Sequence, residues 1–167
     1  VGTDSYSYAV RLGREKAPVS FISAISAMRY ANWLHNGGTA ASDTEKGVYT
    51  FTGETTFTAR DPNGLYFLPN QNEWYKAAYY DPARDGGGYW PFPSKGGSAP
   101  LCNLNTNVVT EAGSFATSPS AYGTFDQGGN VWEWTEENFG GSGRGLRGGA
   151  FNYYSGYMAA SYRLDYY

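Results

Sequence analysis

The stretch Tyr122-Gly123-Thr124-Phe125-Asp126-Gln127-Gly128-Gly129-Asn130-Val131-Trp132-Glu133-Trp134 runs from turn-forming residues straight into a short aromatic segment. Bulky aromatic and β-branched residues after a Gly-Gly-Asn turn read as a brief strand. Successive strand side chains point to opposite faces, so Trp132 and Trp134 share one face and Val131 and Glu133 the other. We expect both indoles to pack in the core against helix residues such as Trp74 or Trp33. Downstream, Leu146-Arg147 reads as a second brief strand. The Gly148-Gly149 pair after it permits a tight turn, and Arg147 is placed to anchor to a carboxylate beneath it. Upstream, Val48 to Thr52 and Tyr66 to Leu68 read as two more short strands.

Two helices stand among these strands. From Ser20 to His35 the apolar residues Ile22, Ile25, Met28, Trp33 and Leu34, with Ala24, Ala27 and Ala31, form one broad face. Ser20 or Ser23 supplies the N-cap and Gly37-Gly38 the stop. The second helix is announced by Asn70-Gln71-Asn72-Glu73, in which Asn70 caps and Glu73 reaches back, and runs to Tyr79. Asp81 to Asp85 reads as a turn. The long span from Asp81 to Phe125 has no sustained period and needs a staple, either a metal ion or a dense aromatic and hydrogen-bond network. No internal repeat or dividing linker occurs, and residues 1–167 are read as a single domain.

Composition narrows the function. Charged residues make up 16% and aromatics 18% of the 167 residues, with 23 Gly and a net charge of −3, so the surface is built from Tyr, Ser, Thr, Asn and Gly. Twelve Lys plus Arg, scattered singly, give no footprint for nucleic acid or an anionic membrane. One cysteine, Cys102, excludes an internal disulfide, and one histidine, His35, excludes a His-rich metal site. Cys102 reads as a buried small hydrophobe, His35 as a cation at a helix C-terminus, and Glu136-Glu137 as a solvated pair. No apolar run approaches the roughly 20 residues of a membrane span. Tyr-, Thr-, Ser- and Gly-rich, Lys-poor composition is typical of exported bacterial proteins, so an extracellular or cell-surface location is expected.

Four segments in order carry a resemblance: Pro18-Val19-Ser20 leading to Tyr30-Ala31-Asn32-Trp33-Leu34; Phe67-Leu68-Pro69-Asn70-Gln71-Asn72-Glu73-Trp74-Tyr75-Lys76-Ala77-Ala78; the opening stretch through Gly129-Asn130-Val131-Trp132-Glu133-Trp134; and Arg147-Gly148-Gly149-Ala150-Phe151. The chain resembles the formylglycine-generating enzyme, or sulfatase-modifying-factor, domain family, and within it a secreted bacterial branch that often carries a surface-sorting signal. The resemblance implies an α+β protein with a C-type lectin-like fold: two helices, a small twisted antiparallel sheet and long irregular loops, often held by calcium. It also implies that the family's N-terminal region and final C-terminal strand are missing from this chain.

The family's catalytic branch binds copper through a cysteine pair after Arg-Gly-Gly, whereas Arg147 to Tyr167 contains no cysteine. Thiolate is the soft ligand that selects Cu(I), so no copper is expected. A neighbouring branch uses three-histidine iron, which His35 alone cannot supply. Calcium is expected instead, with the family's ligand positions falling on Asp126, Gly129, Val131 and Glu133. A further site would map to Asn103 and Leu104, although its acidic partner before Tyr122 is not evident.

The C-terminal residues Asn152, Tyr153, Tyr154, Tyr157, Tyr162, Arg163 and Tyr166 have the composition of an adaptable binding surface. They also look like the variable region of lectin-fold proteins diversified by retroelements, although ordinary core and strand aromatics would read the same way. At least three of Tyr153, Tyr154, Tyr157 and Tyr162 should be more than a third exposed, or touch another chain or ligand. The functional expectation is a non-catalytic exported module that binds protein or carbohydrate, or assembles with copies of itself on a surface. The alternatives are an oxidoreductase that modifies a sulfatase cysteine and a purely structural self-associating protein.

Overall fold

Ser23 opens helix α1 (Ala24–His35) by accepting the Ser26 N–H on its Oγ at 3.0 Å, so of the two candidate caps Ser23 is the one used. The computed structural model describes residues 11–104, 106–138 and 143–166. Helix α1 buries Ala24, Met28, Ala31 and Asn32. Helix α2 (Gln71–Tyr79) starts in the expected capping box: Asn70 accepts from Asn72 and Glu73, and Glu73 Oε2 accepts the Asn70 N–H at 2.8 Å. Among the described residues no helix is long and apolar enough to cross a membrane.

The strands differ from the sequence reading in an instructive way. Val48 to Thr52 forms only isolated bridges, Lys46 with Thr50 and Phe51 with Phe57. The cause is Asn32, fully buried on α1. Its Oδ1 accepts the Tyr49 N–H at 2.9 Å, and its Nδ2 donates to the carbonyls of Tyr49 and Thr44, each at 2.8 Å. The carboxamide thus takes both backbone groups that a neighbouring strand would use. Tyr66 to Leu68 is likewise not a strand: the Leu68 N–H donates to the Tyr49 hydroxyl at 3.1 Å and its carbonyl accepts from Arg60.

Two small antiparallel sheets form. The turn expected at Asp81 to Asp85 is present, and it joins a hairpin of β1 (Tyr80–Asp81) and β2 (Gly88–Tyr89) that was not expected. The second sheet has the order β3-β4-β5, built from β3 (Glu133–Trp134), β4 (Arg144–Arg147) and β5 (Leu164–Tyr166), with Glu133 opposite Arg147 and Leu146 opposite Leu164. Strand β5 lies inside the C-terminal run read as binding surface. Met28, Ala31, Val48, Tyr49, Phe51 and Leu68 make one core cluster, with Trp134 packed against it. Trp74, Ala78 and Tyr79 make another.

The two indoles part company. Trp134 joins the first cluster and donates Nε1–H to the Ile22 carbonyl at 3.0 Å. Trp132 instead meets rings of the C-terminal run. Neither makes a ring contact with Trp74 or Trp33, because Trp74 faces the opposite side of β3 and bonds Glu133.

The long loop is stapled by an asparagine pair. Asn130, buried and at φ +60°, donates its backbone N–H to Asn103 Oδ1 at 2.9 Å. Its own Oδ1 accepts the Thr110 N–H at 3.0 Å and its Nδ2 donates to the Thr110 carbonyl at 3.1 Å. Asn103 Nδ2 reaches the Val108 carbonyl at 2.8 Å, while the Asn130 carbonyl receives the Phe151 N–H at 2.9 Å. One residue thereby ties the 103–110 loop, the turn before β3 and the chain after β4.

Asn130→Ala should lower unfolding free energy by about 2 to 4 kcal/mol, combining lost buried hydrogen bonds with left-handed backbone strain. Asn130→Gly, which relieves the strain but not the bonds, should recover about 1 kcal/mol of that loss in urea denaturation. Equal stability of the parent and both variants would show that the staple lies elsewhere.

Candidate functional site

Strand β4 ends in Arg147-Gly148-Gly149, and the two glycines adopt φ +92° and +74°. A Cβ on Gly148 would stand 2.9 Å from the Gln127 carbonyl, so the turn before β3 can lie directly against it only because the side chain is absent. Arg147 is buried, and the carboxylate expected beneath it is not its partner. Its Nη1 donates to the carbonyls of Ala160, at 3.1 Å, and Tyr162. The guanidinium also lies 5.4 Å from the Tyr75 ring centroid and 6.0 Å from that of Trp74. Backbone carbonyls suffice here because the segment returning to β5 passes over the arginine. Burial draws its pKa below the usual value.

A second anchor fixes the same segment. Ser155–Met158 forms one turn of 3₁₀ helix, Met158 is fully buried, and the Tyr79 hydroxyl donates to the Met158 carbonyl at 2.9 Å. On this base Tyr153, Tyr157 and Tyr162 close around Trp132, with centroid separations of 5.3, 6.2 and 6.1 Å. Tyr157 lies edge-on to both Tyr153 and Tyr162 at 4.7 Å. The Trp132 Nε1–H is buried without a hydrogen-bond partner among the described residues.

The rings therefore cover one another. At least three of Tyr153, Tyr154, Tyr157 and Tyr162 were expected to be more than a third exposed or to touch another chain or ligand; only Tyr154 is that exposed, at 68%. Tyr153, Tyr157 and Tyr162 are half-buried, and burial raises the pKa of the Tyr162 phenol. Asn152, Arg163 and Tyr166 are exposed, and the Tyr166 ring is tilted against Trp134 at 6.2 Å.

The acidic positions lie on the turn before β3 and on the first residue of that strand. Asp126, at φ +61°, accepts the Gly113 N–H on Oδ2 at 2.6 Å. Glu133 Oε2 accepts the Trp74 indole N–H at 2.6 Å. Burial pushes the Glu133 carboxyl up to about 7; the Trp74 bond opposes the shift and the Asp126 charge adds to it, which places the two acids within each other's field. Gly129 is buried and donates its N–H to the Gly148 carbonyl at 2.8 Å, while Val131 is half-buried.

Two carboxylates flanking two backbone carbonyls on one short segment are a hard-oxygen donor set that suits calcium, whereas copper and iron would need thiolates or imidazoles that this segment lacks. Asn103 stands differently. Its side-chain oxygen is taken by the Asn130 N–H, and Leu104 is half-buried beside it. Among the described residues no group of three or more His, Cys, Asp or Glu side chains is arranged to hold a metal.

Other singled-out groups have structural roles. Cys102 is half-buried, its Sγ 3.6 Å from Met158 Sδ, and burial pushes its thiol up to about 11. His35 stands in the last turn of α1, and its Nδ1 accepts the Leu65 N–H at 3.2 Å. Glu136 is not solvated: it accepts the Tyr49 hydroxyl at 3.0 Å and lies 3.6 Å from Arg60. Asn130 and Trp132 are the functional-site residues whose roles the sequence reading missed. An asparagine following two glycines, at a point where the chain must turn left-handed, was the available signal.

With this geometry in hand, the protein is an α+β domain of C-type lectin-like architecture. Residues 7–165 match the sulfatase-modifying factor enzyme 1-like domain, and the chain belongs to that family. A solved structure, Treponema denticola variable protein 1, superposes with a TM-score of 0.66 at 22% identity, over 96% of this chain and 69% of that one. The crystal structure of CarF gives a TM-score of 0.60 at 20% identity, over 92% and 69%. At these identities the likeness is one of fold. Hercynine oxygenase from Mycolicibacterium smegmatis is 39% identical over 70 residues, 41% of this chain but 16% of that protein. Hercynine oxygenase from Mycolicibacterium thermoresistibile is 36% identical, also over 70 residues, 41% of this chain and 16% of that protein.

The Glu133 shift predicts a pH effect. Its folded-state value lies above the ordinary 4.5, so with no cation bound the folded chain holds the extra proton between about pH 4.5 and 7. Stability from this group is therefore full below that window and declines through it as pH rises, by on the order of 3 kcal/mol. The difference between parent and Glu133→Gln melting curves, recorded across pH in chelator, should show this slope. A flat difference would mean that the carboxyl is not desolvated.

Proposed function

We propose that this domain is a non-catalytic, exported binding module that uses the family scaffold to present the C-terminal segment to a protein or carbohydrate ligand. The observation that supports it most is the tyrosine nest around Trp132, on a segment anchored by Arg147 and Met158, with Tyr154 exposed next to it in sequence. Tyrosine gives broad contact area with few rotors, and a platform whose rings lock one another spends little entropy on binding. The sequence further favours binding over redox chemistry, since its only cysteine, Cys102, is half-buried with a raised pKa.

Within this reading Asp126 and Glu133, with the carbonyls of Gly129 and Val131, would hold one calcium ion. That cation would neutralise two acids that otherwise repel and would brace the turn against which Gly148 packs.

Two experiments test the proposal. Because Tyr153, Tyr157 and Tyr162 pack on Trp132, the informative change is at the exposed ring. Tyr154→Ala should leave unfolding free energy within about 0.5 kcal/mol of the parent. It should weaken capture on glycan and protein arrays about tenfold or more, as expected for an exposed aromatic anchor. Capture unaffected by Tyr154→Ala, or no capture by the parent, would overturn the binding role. For calcium, adding the ion to chelated protein should raise the melting temperature, because a ligand bound only by the folded state stabilises it. Glu133→Gln, which keeps an acceptor for Trp74, should abolish that rise.

A further inference from the structure

Away from the tyrosine nest and the acidic segment, the loop of residues 94–101 and the segment 117–119 line an open surface cavity of about 360 Å³. Its walls combine Lys95 with the hydroxyls of Ser98, Thr117 and Ser118, and the apolar surfaces of Leu101 and Pro119. The walls are tied together. The Lys95 N–H donates to the Pro119 carbonyl at 2.8 Å, and the Leu101 N–H donates to Ser118 Oγ at 3.3 Å. Ser94, itself buried, donates its hydroxyl to the Ser98 carbonyl and closes the loop on one side.

The polar groups of this cavity are largely uncommitted. The hydroxyls of Ser98 and Thr117 have no hydrogen-bond partner among the described residues, and Ser118, which only accepts, keeps its proton to donate. Lys95 is exposed and makes no salt bridge among the described residues. Asp81, the acid whose carboxyl responds to the Lys95 charge, is already occupied by the Trp90 indole N–H at 3.0 Å and the Ala83 N–H at 2.8 Å. Among the described residues the ammonium thus has no ion-pair partner, and Lys95 shares the lining with three hydroxyl-bearing residues.

The chemistry of that set is specific. An ammonium favours an oxyanion. Hydroxyls both donate and accept, which matches ring hydroxyls. Leu101, 64% exposed, and Pro119 offer apolar surface to the C–H face of a ring. The volume sits near the lower end of the roughly 300 to 1,000 Å³ typical of ligand pockets, which limits the occupant to about one ring. We propose that this cavity is a second binding site, for an acidic sugar: a single pyranose unit bearing a carboxylate or a sulfate ester.

The test uses the full chain and three probes: D-glucuronate, D-glucose and inorganic sulfate. Glucuronate should bind saturably by calorimetry, should shift the amide resonances of residues 94–101 and 117–119, and should be displaced by sulfate. Glucose should bind about tenfold more weakly. Lys95→Gln should weaken glucuronate by about tenfold, the loss expected for one charge-assisted contact, with its melting curve unchanged because the side chain is exposed. Tyr154→Ala should bind glucuronate like the parent, which separates this site from the tyrosine nest. Equal affinity for glucose and glucuronate, no effect of Lys95→Gln, no competition by sulfate, shifts confined to other residues, or no binding would each overturn the proposal.

Discussion

The left-handed, buried Asn130 is the constraint on which the remainder of this architecture depends. A domain with so little regular structure must satisfy its backbone polar groups by other means, since each buried group left unpaired costs about 1 to 3 kcal/mol. Asn130 does this for three chain segments at once, through its own backbone and both ends of its carboxamide. Asn32 does the same for the chain around Tyr49. A carboxamide carries donor and acceptor in the arrangement of a peptide group, so each asparagine stands in for a missing strand. The cost is intolerance: neither aspartate nor leucine reproduces both halves of that pairing.

From this hub the placement of the tyrosine nest follows. Asn130 fixes the turn before β3, Gly148 lets β4 approach that turn, and Arg147 then reaches forward to the carbonyls that carry the chain into β5. The three-stranded sheet is too small to orient a surface by itself. Buried side chains that bond to backbone do that work, and the C-terminal segment is positioned by anchors below it rather than by strand pairing along it.

The helices and their caps were legible because capping is a local interaction between residues two or three apart: Ser23 with Ser26, and Asn70 with Glu73. The sheet-like stretches were less so. Val48 to Thr52 has the composition of a strand, yet its partner is a side chain from α1, and no pattern within the stretch reveals that. The β1–β2 hairpin hid behind Asp81-Pro82, which reads as a turn whether or not two strands flank it. Strand β5 hid within a tyrosine-rich run that suited a loop equally well. The acidic segment was legible as an oxygen-rich motif, but the burial of Glu133 was not, because its surroundings, the Trp74 indole bonded to it among them, come from far away in sequence.

The packing of the tyrosines was hidden in the sequence for a related reason. Their number suggests a wet surface, but a tyrosine beside an indole gains more by edge-on packing than by full exposure, and Trp132 supplies that indole from the turn region. The outcome along the C-terminal segment is an alternation: Asn152, Tyr154 and Gly156 are exposed, whereas Tyr153, Ser155 and Tyr157 are half-buried. Neighbouring positions therefore answer to different pressures. The half-buried set holds the nest and contributes to stability, so its members are constrained in size and ring character. The exposed set touches little else in the domain and can change chemistry at almost no cost to folding. A segment divided in this way allows recognition to be altered residue by residue while the anchors at Arg147 and Met158 stay in place. In the binding role proposed above, that separation of anchor from contact would count for more than the number of aromatic residues.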